Sequence, residues 1–366
     1  MSSLSCGIVG LPNVGKSSLA NVLAKMQVAE SANYPFCTIE PNHFTVSIKD
    51  DRLQKLAAIA GSQKIIESQI DLWDIAGLVK DASKGEGLGN KFLANIREVD
   101  AIVQVIRCFE NNDITHVYNN VDPLRDKEII EYELILADLD SIENRLPKLL
   151  KKKDPESQKE ADLLKKIEIM LRNDKMPYQH LHELEVDKKE IKKLQLLTTK
   201  PILYLLNISE DDSKDDKYIQ NPHCKAVIEK VGQGNYIAFP IKLETDCLGL
   251  DETERDEMLE SLELPKDNIN KLLKKCFDIL NLKSFFTVGP KEAHSWTIEN
   301  GFTAPQAAGV IHSDFEKGFI RAETISYDDY IKYNGEQGAK NNGKSRTEGK
   351  EYVVQDGDVM HFLFNN

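Results

Sequence analysis

Residues 10–17 read Gly10-Leu11-Pro12-Asn13-Val14-Gly15-Lys16-Ser17, a complete G-x-x-x-x-G-K-S stretch. An apolar run, Cys6-Gly7-Ile8-Val9, stands before it, and a helical pattern follows from Ser17 to Lys25. Strand, glycine-rich turn and helix form the context this spacing needs in order to wrap a phosphate. Glycines let backbone N–H groups curl around phosphate oxygens, and the positive N-terminus of the next helix faces the same anion. Lys16 is placed for the β- and γ-phosphates and is the candidate catalytic cation. The Ser17 hydroxyl is placed to ligate Mg²⁺. The stretch predicts a nucleoside triphosphate site, with the base and the purpose of the cycle left open.

Other segments narrow the chemistry. Asp74-Ile75-Ala76-Gly77 ends an apolar run from Ile70 to Asp74 and matches the D-x-x-G of nucleotide switches. Asp74 would hold Mg²⁺ through water, and the Gly77 N–H would meet the γ-phosphate. Thr38, in Asn33-Tyr34-Pro35-Phe36-Cys37-Thr38, is a further candidate Mg²⁺ ligand. Leu78 stands where Ras-type GTPases carry a water-orienting glutamine; leucine cannot polarise water, so slow hydrolysis is expected. Two polar groups are available instead. Asn13 can help seat a monovalent cation, K⁺, beside the phosphates. His116, after the strand Ala101–Cys108, can swing in as a polar group, although a lone loop histidine is more often just solvated. Gly85-Glu86-Gly87-Leu88-Gly89 reads as a second, hinge-like switch.

Guanine is read in GTPases by Asn-Lys-x-Asp, whose aspartate accepts from the guanine N1 and N2 donors. This chain has Asn207-Ile208-Ser209-Glu210 in that place. Adenine lacks those donors, and the Asn207 amide can serve its N7 or exocyclic amine. Relaxed or adenine specificity is therefore expected.

A length of 366 residues suggests two or three domains, and 41% hydrophobic residues are enough for real cores. The net charge of −13 excludes a general nucleic-acid coat and leaves any RNA contact to a local patch. Apolar runs are strand-sized and the start lacks a charged-then-apolar pattern, so no membrane span is expected, and a cytoplasmic location is the expectation. The six cysteines lack paired spacing and read as reduced thiols, not a disulfide frame or a zinc site.

Organisation changes along the chain. Short strands at Cys6–Val9, Phe44–Ile48, Ile70–Asp74 and Ala101–Cys108 alternate with helical stretches, which predicts α/β with a mainly parallel sheet. Ile135, Leu139, Ile142, Leu146 and Leu149 then form a heptad-like seam. A second helix follows the charged turn Lys151-Lys152-Lys153-Asp154-Pro155, with Leu164, Ile167 and Leu171 on one face; Ile191, Leu194 and Leu197 mark a third piece. The expectation is a coiled-coil hairpin inserted in the α/β domain. The cluster Lys148–Lys153 at its tip could touch RNA, but a charge run at a hairpin tip is usually just solvated. Strands resume at Pro201–Leu206 and Tyr236–Ile241, and helical residues run from Glu252 to Leu280. The last region reads strand (Ser295–Ile298), helix (Pro305–Phe315), strand (Ile320–Ile325), strand (Tyr352–Val354), an Asp356-Gly357 hairpin turn and strand (Val359–Phe364). A small sheet on one helix, a ubiquitin-like β-grasp, fits this order. Gln337–Lys350 is expected to be a loop, and its Lys340, Lys344, Arg346 and Lys350 form a local basic strip for RNA or simply for solvent.

These stretches resemble the Obg-like ATPase (YchF) family. Gly-x-Pro-Asn-Val-Gly-Lys-Ser, Asn-Tyr-Pro-Phe-Cys-Thr-Ile-Glu-Pro-Asn, Asp-Ile-Ala-Gly-Leu-Val, Gly-Glu-Gly-Leu-Gly-Asn and Asn-x-x-Glu carry the likeness. So do Ala304–Gly309, Asp314–Phe319 and Asp356–Val359 in the tail. The resemblance implies a P-loop G domain that prefers ATP, an inserted coiled coil and a C-terminal TGS domain. The boundaries are 1–126 and 200–283 for the two parts of the G domain, 127–199 for the insertion and 284–366 for the tail. It implies Asn13, Val14, Gly15, Lys16, Ser17 and Ser18 on the phosphates, with Gly77 beside them. Ser17 and Thr38 would ligate Mg²⁺, and Asn207 and the backbone of Ile208 would lie at the adenine. Pro240-Ile241-Lys242-Leu243-Glu244 departs from the small-residue loop usual beside the base. The expected function is a slow, Mg²⁺-dependent ATPase switch on the ribosome (50S or 70S) or RNA, regulating translation or a stress response, with a monomeric chain. The rivals are an Obg-type GTPase translation factor and a binding module with negligible turnover.

Overall fold

The computed structural model describes residues 4–31, 42–75 and 88–365. Thr38, Gly77, Leu78 and Gly85–Gly87 lie outside the described residues. In chain order the elements begin with β1 (Ser5–Val9), α1 (Lys16–Ser31), β2 (His43–Ile48), α2 (Asp51–Ala60), β3 (Lys64–Ile66), β4 (Ser68–Asp74), α3 (Leu88–Glu98) and β5 (Ala101–Arg107). They continue with α4 (Pro123–Leu150), α5 (Pro155–Arg172), α6 (Lys188–Lys193), β6 (Ile202–Asn207), α7 (Glu210–Ser213), α8 (Pro222–Val231), β7 (Tyr236–Phe239), α9 (Ile241–Asp246), α10 (Glu252–Ser261) and α11 (Asn268–Ile279). The final stretch holds β8 (Leu282–Val288), β9 (Glu292–Glu299), α12 (Ala304–Ile311), α13 (Ser313–Lys317), β10 (Phe319–Ile325), α14 (Tyr327–Lys332), α15 (Glu336–Asn341), β11 (Arg346–Glu348) and β12 (Val359–Phe364). The chain divides into two units. One holds Leu4–Phe44 and Asp71–Leu272, the other Thr45–Ile70 and Leu273–Asn366.

The first unit is organised by the strands β4, β1, β5, β6 and β7, neighbours in that order. Its pairings β4–β1, β1–β5, β5–β6 and β6–β7 are all parallel. β1, β5 and β6 are buried along their whole length, as parallel strands covered on both faces must be. Because the strands run together, Val9, Asp74, Arg107 and Asn207 all come to the same end of the sheet: Ile8 pairs with Asp74, Val9 with Gln104, and Arg107 with Asn207. That end is where ligands of open α/β sheets bind.

α4 and α5 are the two long helices of the insertion. Asp122 caps α4 at Arg125 N and Asp154 caps α5 at Ser157 N, each followed by proline at the first helical position. Of the expected seam, Ile135, Ile142 and Leu149 are buried, while Leu139 and Leu146 are half-buried. The burial therefore repeats every seventh residue and is widened by Ile130 and Leu134 near the start of α4. The third piece is shorter than expected. α6 ends at Lys193, and Gln195 adopts a left-handed φ of 54°, so Leu194 and Leu197 are buried from irregular chain. Asp138 of α4 is fully buried and accepts from Leu197 N, Thr198 N and Thr198 Oγ1 at 3.0, 2.8 and 2.7 Å, which fastens the insertion next to β6.

The second unit carries a sheet of order β11-β10-β12-β8-β9-β3. Hairpin β8–β9, helix α12, then β10 and a β12 parallel to β8 reproduce the expected β-grasp order. One face packs Phe285, Ala322 and Phe362 against Ala304, Ala307 and Ala308 of α12. The other packs Phe286, Ala293 and Val359 against Leu53, Leu56 and Ala57 of α2, and β3 extends the edge beside β9. Residues 45–70 thus complete a layer that the tail alone lacks.

Three expectations for the tail are corrected. Tyr352–Val354 forms no strand: only Val353 bridges, to Thr303, and Val354 plugs the α12 core. The Asp356-Gly357 turn therefore joins no hairpin. It docks on β8, where Asp356 Oδ1 accepts from Ser284 N at 3.0 Å and Gly357 N–H donates to Ser284 O at 2.9 Å. Gln337–Lys350 is not a loop throughout, since it contains most of α15 and all of β11. Its basic strip is partly neutralised: Lys340 pairs with Glu323 and Glu336, and Arg346 with Glu348 and Asp358.

Candidate nucleotide site

The loop leaves buried β1 at Val9 and enters α1 at Lys16. Asn13 and Gly15 have φ of 61° and 112°, and a side chain at Gly15 would strike the Asn207 amide, 2.6 Å from an added Cβ. Only glycine meets both demands. Leu19 N donates to Gly15 O at 3.0 Å, the first bond of the α1 ladder. Ser17 is exposed and Ser18 half-buried in that first turn.

Lys16 is 8% exposed, and its Nζ donates to Leu11 O at 2.7 Å, so the loop closes on its own ammonium. Burial pushes the Lys16 pKa down to about 8, against the pull of the Asp74 carboxylate. Burial likewise pushes the Asp74 carboxyl up, with Lys16 opposing. Both groups move toward neutrality because desolvation outweighs their mutual attraction. An anion added here favours the charged form of Lys16 and raises its pKa again.

Asn207 ends β6 and is 5% exposed. Its Nδ2 donates to Val14 O at 2.8 Å and its Oδ1 accepts from Ile241 N at 3.3 Å. The side chain thus ties the phosphate loop to β6 and also serves the first N–H of α9, where Pro240 at the cap position offers no side-chain bond. The departing segment 240–244 is therefore part of the loop's support. The Ile208 N–H is committed to Phe239 O at 3.2 Å. Ser209 caps α7 by accepting from Asp212 N, and Glu210 is exposed in the first turn.

Arg107 is not among the residues the sequence singles out. It ends β5 at 1% exposure and donates to three backbone carbonyls: Nε to Phe109 at 3.1 Å, Nη1 to Ile114 at 3.0 Å and Nη2 to Asn111 at 2.9 Å. Its guanidinium also lies 4.8 Å from the Phe109 ring. Burial pulls its pKa down, with Glu110 and Asp126 opposing. Loop 108–115 is wound on this one cation, and the next carbonyl, Thr115 O, accepts from Asn13 Nδ2 at 3.1 Å. A signal for it exists in the sequence: an arginine inside a run of buried strand residues must find partners.

His116 is placed one residue beyond that contact, but its ring is committed elsewhere. It is 4% exposed, with Nε2 at 2.8 Å from Asp126 Oδ2 and Nδ1 accepting from Tyr118 N at 3.2 Å. The structure therefore brings together Asn13, Val14, Gly15, Lys16, Asp74 and Asn207, and adds Arg107 and Thr115. A cavity of about 690 Å³ in the other unit, lined by Trp296, Phe315, Met360 and Phe364 among others, contains none of these residues.

Two family models match the chain. MMR_HSR1, described as a 50S ribosome-binding GTPase, matches residues 5–137, and YchF-GTPase_C, described as a protein of unknown function (DUF933), matches residues 282–365. The chain is 49% identical to the ribosome-binding ATPase YchF of Haemophilus influenzae over 98% of its own length and 99% of the relative's. It is 47% identical to the protein of the same name from Bacillus subtilis, over 99% and 100%. Among solved structures, that of the Schizosaccharomyces pombe YchF GTPase matches with a TM-score of 0.84 and 36% identity, covering 99% of this chain and 98% of that one.

Proposed function

Because the chain belongs to the YchF family, we propose that it binds ATP on the loop 10–18, hydrolyses it to ADP and phosphate, and uses the cycle to control association with the ribosome. The observation that carries this reading is the desolvated Lys16 opposite Asp74, in a loop locked to β6 by Asn207. A buried lysine whose ammonium form a bound polyanion stabilises is suited to the β- and γ-phosphates. Asn13–Ser18 direct main-chain N–H groups to the phosphates, and Asn207 both holds the loop and faces the adenine with Ile208. Gly77 and Thr38 keep their assigned roles at the γ-phosphate and metal. His116 supplies the polar group for the attacking water after leaving its docked position, and Leu78 keeps turnover slow.

Nucleotides on such loops carry a divalent metal, and Mg²⁺ is the ion assigned here. The donor set fits: the Ser17 hydroxyl is exposed in the first turn of α1, and the Asp74 carboxyl is one whose charge burial disfavours and a cation would restore. Both are hard oxygens. Ser17 and Thr38 would hold the ion directly and Asp74 through water; when bound it neutralises phosphate charge. Asn13 would help seat K⁺. The domain division 1–126, 127–199, 200–283 and 284–366, the TGS assignment of the tail, a monomeric state, the 50S or 70S ribosome as partner and a cytoplasmic location belong to the same proposal. Among the described residues, no helix is long and apolar enough to cross a membrane.

The test is competition binding of ATP and GTP to the purified chain, with phosphate release measured for wild type and Lys16→Ala. ATP should displace GTP, and Lys16→Ala should lower kcat/KM by about a thousandfold. Preferential GTP binding would instead favour the GTPase reading, in keeping with the name YchF GTPase carried by the Schizosaccharomyces pombe protein. Equal phosphate release by the two proteins would favour a binding module.

A further inference from the structure

His116 is the only buried residue between Glu110 and Asn120. Its neighbours Ile114 and Val117 are 38% and 45% exposed. Apolar burial therefore does not hold this segment; the Arg107 clamp holds its first half and the His116 ring its second. The Tyr118 N–H donates to Nδ1, so Nε2 carries the proton and donates to Asp126. In a catalytic histidine–carboxylate pair, one ring nitrogen faces the carboxylate and the other is left for the reacting group. Here the second nitrogen is taken by the backbone of the ring's own loop. In this position Asp126 cannot be orienting His116 for chemistry.

Asp126 can lose the histidine without being stranded. Its Oδ1 accepts from Arg125 Nε and Nη2 at 3.2 and 2.9 Å. Arg125 is fixed in turn by Asn120 Oδ1 and O at 2.8 and 3.0 Å and lies 4.5 Å from the Tyr118 ring. The carboxylate thus stays paired with the ring docked or released. It also sits in the first turn of α4, the first long helix of the insertion. On the other side, Thr115 O is bonded to Asn13 of the phosphate loop. One short segment therefore touches the phosphate loop at one residue and α4 at the next.

We infer that Asp126 is a positioning residue that latches His116 in a non-reactive docked site, and that opening this latch frees the ring for the nucleotide while unpinning the first turn of α4. This rests on the reading of His116 given above and adds to it the group that restrains the ring and the helix that registers its release.

Asp126→Asn tests the latch while keeping the side-chain shape. The amide oxygen keeps the two N–H groups of the Arg125 fork, so the amide nitrogen faces the His116 N–H and that single contact is lost. The expected result is a kcat raised roughly fivefold, the scale of one lost buried hydrogen bond, with ATP bound at least as tightly as by wild type, because a ligand that opens the latch gains affinity when the latch is weakened. His116→Ala should be slow, and the double variant should be as slow as His116→Ala alone. A merely structural Asp126 would show a lower kcat and no dependence on His116. If His116→Ala hydrolyses ATP at the wild-type rate, both the histidine reading and the latch fall. If His116→Ala is slow but Asp126→Asn is no faster than wild type, the latch alone falls. Hydrogen exchange in the unmutated protein gives a readout independent of folding in the variants. A non-hydrolysable ATP analogue should speed exchange at the Tyr118 amide and in the first turn of α4, and unchanged protection at both would overturn the proposal.

Discussion

Arg107 and Arg346 each fasten a loop, one in the unit with the phosphate loop and one in the C-terminal unit, by different means. Arg107 is 1% exposed and spends its guanidinium on the carbonyls of Phe109, Asn111 and Ile114. Arg346 has a side chain 45% exposed and meets other side chains: Glu348, the Tyr352 hydroxyl and, at 3.6 Å, Asp358. The same contrast runs through both units. Lys16 bonds to Leu11 O and Asn207 to Val14 O, whereas Lys340 pairs with Glu323 and Glu336. A buried donor on a carbonyl fixes the path of the main chain, and its removal strands polar groups away from water. A surface pair is screened, and water replaces either partner.

The widest gap should appear in Arg107→Leu against Arg346→Ala. Losing the buried cation takes the donor from three carbonyls, of which Asn111 O keeps only the Ile114 N–H at 3.4 Å, and should cost about 3 kcal/mol in chemical denaturation, with weaker ATP binding because Thr115 no longer meets Asn13. An Arg107→Leu protein as stable as wild type would break the comparison outright. Asn207→Ala comes next. It leaves Val14 O and Ile241 N–H without their partner and should weaken ATP binding by about 2 kcal/mol, read by titration calorimetry. A smaller effect comes from pH. In the empty site the Lys16 pKa is lowered to about 8, and a bound polyanion favours the charged form, so binding takes up a proton once the pH exceeds that value. Affinity should be insensitive to Lys16 below it and fall by up to about tenfold per pH unit above it. Proton uptake measured in buffers of different ionisation enthalpy checks the sign, and uptake confined to the acid side would show that Lys16 is not the group responsible. Arg346→Ala should be the mildest, below about 1 kcal/mol and shrinking further in high salt.

How far the site can be read from the sequence follows the same contrast. Gly10–Ser17 declares itself because its chemistry resides in residue types at fixed spacing. Asn207 is visible from its place after a strand, but its role as a support for Val14 and α9 is not, since its partners are backbone atoms that carry no signature. Thr115 escapes notice for that reason, and so do the partners of Arg107, of which the sequence signals only that a buried arginine must have some. His116 stands out as a candidate, but nothing in the sequence distinguishes a docked ring from a free one.

In the tail the errors are of composition. The glycines and lysines of Gln337–Lys350 suggest a loop. Yet a Cβ at Gly338 would fall 1.8 Å from Tyr333 O, so that glycine permits close packing, and Ala339 beside it is fully buried. Strand β8 mixes polar and apolar residues and becomes evident only with its partners on both sides.

By itself the sequence determined the phosphate loop, the parallel strands around it, the long helices of the insertion and the replaced guanine motif. Those features rest on local rules: spacing around glycine and lysine, buried apolar runs, caps and heptads. Tertiary structure alone decided that residues 45–70 complete the C-terminal sheet, that Arg107 winds the loop beneath Thr115, and that His116 is held by Asp126. These are contacts across distant or irregular chain, in which side chains choose carbonyls and carboxylates by position in space. No local pattern encodes that choice.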